Sequence, residues 1–154
     1  MRKRWMAFLL AAALLVTGIF AGNAELKAAA PEEDYEVSYL ALEDTLVGYM
    51  DSQTRGVYLM SGASTINDAG NNRIGCGGET NAAKRCAVSV QVTVEKKVNG
   101  SWTRLDSFYK EATNALTVVA SKYLYVTSGS YYRVRSYHVA GTDSSASYTD
   151  ALLM

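Results

Sequence analysis

The chain has 154 residues, with 15 Lys and Arg against 15 Asp and Glu, one His, two Cys and one Pro. A single His and a single Cys pair without Cys-x-x-Cys spacing leave too few ligands for a structural zinc site and no dithiol redox motif. The balanced charge argues against nucleic acid as a partner, because phosphate neutralisation needs a basic surface.

The first element is an export signal over residues 1–30. It has a basic start (Arg2, Lys3, Arg4), an apolar run from Trp5 to Phe20, and small residues from Ala21 to Ala30, with cleavage expected after Ala24 or Ala30. The competing reading is an uncleaved anchor, since Trp5 to Phe20 is only a little shorter than the ~20 apolar residues of a spanning helix. The Ala21-Gly22-Asn23-Ala24 exit favours cleavage. No Cys closes the apolar run, as a lipid anchor would require, and Met154 ends the chain without a sorting signal. The expected product is secreted and extracellular, free of the membrane once cleaved. It holds 11 basic and 14 acidic residues, and roughly 120 residues suffice for one domain with its own core.

Residues 31–56 read as an acidic lead-in or tether, rich in Glu and Asp, with Tyr35, Tyr39 and Tyr49 able to dock onto the domain at 57–154. Two strands are expected at 63–67 and 72–80, joined by Asp68-Ala69-Gly70-Asn71. The run Asn67 to Asn72 resembles a calcium loop only faintly, lacks alternating oxygen ligands and a terminal Glu, and reads as a turn. Cys76 and Cys86 flank the polar segment Gly77 to Arg85, read as a turn, and in an oxidising compartment they are expected to form an intramolecular disulfide. Such a short loop would contribute roughly 2–3 kcal/mol.

In 86–98 the residues Val88, Val90, Val92 and Val94 alternate with Ser89, Gln91, Thr93 and Glu95, the period of a half-buried strand. Asn99-Gly100 supplies the positive φ angles of a tight hairpin turn, and Trp102 to Tyr109 returns as the partner. Further strands are expected at 116–126, 131–140 and 146–153, with turns at Thr113-Asn114, Ser128-Gly129 and Gly141-Thr142-Asp143. Lys122 falls in the inward phase of Val118, Ala120, Leu124 and Val126, a conflict that a bulge near Ser121 or an edge position would relieve.

Seven short strands without helical periodicity point to an all-β, antiparallel seven-stranded β-sandwich. Val126 to Val134 places Tyr132 as a tyrosine corner, so the stretch resembles the sixth strand of fibronectin III and immunoglobulin-like domains, with Ser128 where those domains usually carry Pro. Arg55-Gly56-Val57-Tyr58-Leu59, Val98-Asn99-Gly100-Ser101-Trp102, Gly129 to Arg135, His138 and Tyr148-Thr149-Asp150 together resemble a family of small secreted proteins from Gram-positive, largely gut-dwelling bacteria. That family is known only as a domain of unknown function. The resemblance implies export and one β-domain, and it implies no activity; the Cys pair is not among the residues that carry it.

No catalytic residue, metal ligand or cofactor site is expected. A lone His without a Gly-x-Ser-x-Gly elbow gives no triad signature, and His138, in phase with Tyr132, Val134 and Ser136, reads as the end of a core-facing row. The acidic residues sit mostly in the lead-in, in turns (Asp68, Asp143) or at solvent-phase positions such as Glu95. The candidate binding face is Tyr131, Arg133, Arg135 and Tyr137, of residue types enriched at binding hot spots. The bland alternative is a solvated sheet face with Glu95 partly neutralising an Arg across the strands, worth under ~1 kcal/mol. The expected function is a monomeric, non-enzymatic module binding an unknown protein or glycan. A carbohydrate-binding module using Trp102 and the tyrosines as stacking platforms is the alternative, and a small secreted hydrolase a more distant one.

Overall fold

The structure is a computed structural model that describes residues 44–51 and 56–154, all within one compact unit, Asp34–Met154. The export signal and the first part of the lead-in lie outside the described residues. Seven strands form one antiparallel sheet: β1 Leu46–Tyr49, β2 Leu59–Asp68, β3 Arg73–Val98, β4 Ser101–Tyr125, β5 Tyr131–Ala140, β6 Asp143–Tyr148 and β7 Leu152–Leu153. Their order is β1-β2-β3-β5-β6, with β4 on β3 and β7 on β5. The all-β, antiparallel, seven-stranded expectation holds, although the seven elements are divided differently.

The division differs because β3 and β4 are each two expected strands in one. The N-terminal half of β3 lies between β2 and the C-terminal half of β4, and its C-terminal half lies between β5 and the N-terminal half of β4. The joint between the halves is a bend, where the β3–β4 register shifts between Asn81 and Cys86 and again between Cys86 and Val88. Asn114 takes a φ of 52° there, and Arg85 Nη1 donates to the Asn114 carbonyl at 2.9 Å. Bulges of this kind sharpen twist and let one strand serve two parts of a curled sheet. The sheet closes on itself nearly as a barrel, bringing β2 over β5 and β6.

This continuity corrects the disulfide expectation. Residues 77–85 are not a turn: they run inside β3, and Gly77 and Gly78 are absent from the positive-φ glycines. These glycines instead allow close packing, since a Cβ on Gly78 would come within 2.5 Å of Ser136 Oγ and 2.9 Å of Val90 Cγ2. Cys76 and Cys86 are both free. Ten residues along an extended strand at ~3.3 Å each far exceed the ~7 Å Cα separation that a disulfide tolerates.

Within the lead-in, Leu46–Tyr49 pairs with β2 as a strand. Gly48 permits this, for a Cβ there would overlap the Tyr148 carbonyl. Asp143, read as a turn residue, accepts from the Tyr58 and Leu59 N–H groups at 2.5 and 3.1 Å and so ties the start of β2 to the β5–β6 hairpin.

The core is the inner surface of the curl. Leu59, Ile66, Ile74, Val134 and the row Val88, Val90, Val92, Val94 are buried, and burying each such side chain is worth roughly 1.5–3 kcal/mol. Lys122 does occupy the inward phase of β4. Among the described strands β4 is bonded only to β3, and at its outer edge Lys122 forms an ion pair with Asp106 from the other half of the same strand. The edge position resolves the phase conflict.

Candidate ligand-binding face

Alternation along β5 sorts its side chains into two rows. Tyr132, Val134, Ser136 and His138 are buried, whereas Tyr131, Arg133, Arg135 and Tyr137 point outward. The Tyr132 hydroxyl accepts from the Thr127 N–H and donates to the Thr127 carbonyl, both at 3.0 Å. This anchors the strand start and holds the outer row in register.

Pairing then places neighbours beside that row. On β3, Gln91 lies opposite Tyr137, Thr93 opposite Arg135 and Glu95 opposite Arg133. On β6, Ala146 lies opposite Tyr137 and Tyr148 opposite Arg135.

The two arginines differ in what they can do. Arg133 Nε donates to Glu95 Oε2 at 2.7 Å, and its guanidinium lies 4.4 Å from the centre of the Trp102 ring and 5.8 Å from that of Tyr148. It is committed to the protein, and it covers one face of Trp102. Arg135 is exposed and has no ion-pair or hydrogen-bond partner among the described residues.

Arg135 borders a shallow depression of about 260 Å³ lined also by Gln91, Thr93, Tyr137, Ala146 and Tyr148. The space exists because small Ala146 stands between two large side chains, Tyr137 and Tyr148, which are 51% and 49% exposed. Gln91 Nε2 is already donated to Ser107 Oγ (2.7 Å) and the Phe108 carbonyl (2.9 Å), which leaves its amide oxygen for a ligand. Tyr131, 45% exposed, lies toward the other end of β5, where Lys97 approaches its ring and that of Trp102.

Neither Tyr148, which the sequence offers only within the family resemblance, nor Ala146 was expected on the binding face. The signal that would have found them is the turn length: Ala140 pairs with Asp143, so the connection is the two residues Gly141 and Thr142. Treating Gly141-Thr142-Asp143 as the turn shifts the register by one and turns β6 to the wrong face.

Residues 24–152 match the DUF6147 profile, described as a family of unknown function. The chain belongs to the DUF6147 family. No curated protein matches it. Among solved structures it is similar to the solution structure of CsgH from R. palustris, at 18% identity over 54% of this chain and 83% of that one, with a TM-score of 0.38.

This DUF6147 chain also holds a second polar constellation, inside the curl. His138 and Ser64 are fully buried, as are Ser136, Ser147 and Thr80. Thr80 Oγ1 donates to the Ser89 carbonyl at 3.0 Å, so its one proton is spent, and at 2.8 Å it accepts from His138 Nδ1. His138 is therefore the Nδ1–H tautomer, and Nε2 accepts from Ser147 Oγ at 2.8 Å. Ser64 Oγ extends the chain to Ser147 Oγ (2.7 Å) and Ser136 Oγ (2.8 Å). Burial holds the imidazole pKa down to about 4.

A Ser beside a His invites comparison with hydrolases. Here the Nδ1 partner is a hydroxyl and not a carboxylate, and neither Ser147 nor His138 can meet a substrate from solvent. The network instead ties β2, β3, β5 and β6 together. Among the described residues no three His, Cys, Asp or Glu side chains converge as metal ligands.

Proposed function

We propose that this member of DUF6147 is an exported, monomeric, non-enzymatic binding module that engages its ligand through the outer face of β5 and the strands beside it. The observation that carries this reading is the meeting of Arg135, without a partner among the described residues, and two half-exposed tyrosines around one depression. Tyrosine and arginine supply large contact area and directional bonding at binding sites. Export rests on the Arg2 to Ala30 pattern, and a setting among gut-dwelling Gram-positive bacteria rests on the residues shared with the secreted family described above.

The frame is proposed as a sandwich of the fibronectin III kind. Supporting this are the layering of β2 on β5, bridged by Ser64 Oγ to Ser136 Oγ at 2.8 Å, and the corner bonds of Tyr132. Within the carbohydrate-binding alternative, Trp102 is a poor platform because Arg133 lies over it, so the stacking role passes to Tyr137 and Tyr148.

The test compares wild-type protein with Tyr131→Ser/Tyr137→Ser on glycan and peptide arrays. Loss of every specific signal in a variant with unchanged melting temperature supports the face. Undiminished signals return it to an ordinary solvated surface.

A further inference from the structure

We infer that the depression beside Arg135 takes the ring of a uronic acid residue, with Arg135 binding its carboxylate and Tyr137 and Tyr148 flanking the sugar; this rests on the binding-face reading above. Charge comes first. None of the side chains lining the depression is acidic, and Glu95, the nearest carboxylate along β3, is held by Arg133. Glu111, at the far edge of the face, accepts from the Tyr109 hydroxyl at 2.6 Å. A chain with more acidic than basic residues after its export signal thus presents, at this point, one guanidinium with no carboxylate partner among the described residues. Its planar fork matches a carboxylate with two parallel hydrogen bonds.

Shape and chemistry narrow the anion further. About 260 Å³ is below the ~300–1,000 Å³ of pockets that enclose drug-sized ligands, so the depression contacts about one six-membered ring and offers nothing that would hold the acyl and glycerol arms of a sialic acid. Two tyrosine rings offer stacking surface and hydroxyl groups, and the free amide oxygen of Gln91 can accept from a sugar hydroxyl. A peptide strand would need unpaired backbone to add to a sheet. Here Gln91, Thr93, Arg135 and Tyr137 lie on β3 and β5, each paired on both sides. β6, which adds Ala146 and Tyr148 to the lining, pairs with β5 and ends the sheet order among the described residues, so a peptide could add only beyond the depression; across its floor recognition comes from side chains, which suits a sugar ring. A single cation is also a weak match for a phosphate dianion or a nucleic-acid backbone.

The experiment titrates the exported protein with oligogalacturonate and oligoglucuronate, their methyl esters, neutral galactose oligomers and sialyllactose, followed by calorimetry and by chemical-shift mapping. Uronate binding should fall at least tenfold on esterification, and at least tenfold in Arg135→Gln and in Tyr148→Ala, with melting temperatures unchanged. Arg135→Lys should retain part of the affinity, and added salt should weaken binding. Equal affinity for esters or neutral sugars, preference for sialyllactose, no uronate binding at millimolar concentration, or indifference to Arg135→Gln would each overturn the inference. If uronates fail while another array ligand is lost in Tyr131→Ser/Tyr137→Ser, only the sugar assignment falls. If uronates bind and neither variant weakens them, the face reading falls as well.

Discussion

Lowering the pH from 7 to 5 should destabilise this protein through His138. In the folded state the imidazole is enclosed by Thr80, Ser147 and Gly62, with no charged group bonded to it, and burial lowers its pKa from 6.5 to about 4. Above about pH 7 both folded and unfolded chains carry a neutral imidazole, and stability is unaffected. As the pH falls below 6.5 the unfolded chain binds a proton that the folded chain refuses, so stability drops until the folded pKa is also passed. At 1.36 kcal/mol per unit the full loss is about 3 kcal/mol, with about 2 kcal/mol already gone at pH 5. That is a large share of the ~5–15 kcal/mol that holds a domain.

Two carboxylates held by internal bonds lie outside this window. At Asp106 burial acts to raise the pKa but the Lys122 ammonium and the Ser107 N–H outweigh it, and at Asp143 the Tyr58 and Leu59 N–H groups act to lower it. Both groups therefore titrate at pH values lower still. Urea unfolding at pH 7, 6 and 5 should show a falling midpoint at constant slope. His138→Gln should be less stable at pH 7 yet nearly flat across the same range. An unchanged wild-type midpoint, or an equal fall in the variant, would refute the assignment of this loss to His138.

Three further outcomes follow from packing. Tyr132→Phe removes both bonds to Thr127 and should cost about 1–2 kcal/mol in chemical denaturation, because the Thr127 backbone loses its partner; no change would mean that water replaces the hydroxyl. Gly62→Ala should be worse than an ordinary surface change, since its Cβ would lie 2.5 Å from the His138 ring, and overpacking of this kind costs roughly 1–3 kcal/mol. In thiol labelling, denatured and unreduced protein should show both cysteines, while native protein should show only half-buried Cys86: Cys76 is buried and its thiol pKa is pushed up to about 12, chiefly by burial. Absence of thiols in the denatured sample would restore the disulfide.

Local sequence determined the strands whose signals are local. The Val88 to Val94 alternation, the Asn99-Gly100 turn, whose two residues take φ angles of 50° and 83°, and the two rows of β5 depend only on side-chain period and backbone sterics, which neighbouring residues dictate. Distance defeats that reasoning. Glycines at 77 and 78 carry the same composition signal whether they turn the chain or let Ser136 and two valines approach it, so the Cys76–Cys86 segment looked like a loop and proved to be strand. The pairing of Arg133 with Glu95, the position of Arg135 without a partner among the described residues, the arrival of Tyr148 beside it and the sealing of His138 among three strands all required the register of β3, β5 and β6. A one-residue change in a single turn moves every side chain of a strand to the opposite face. Which residues could line a site was therefore written in the alternation, but which of them meet was decided by how the sheet pairs and curls.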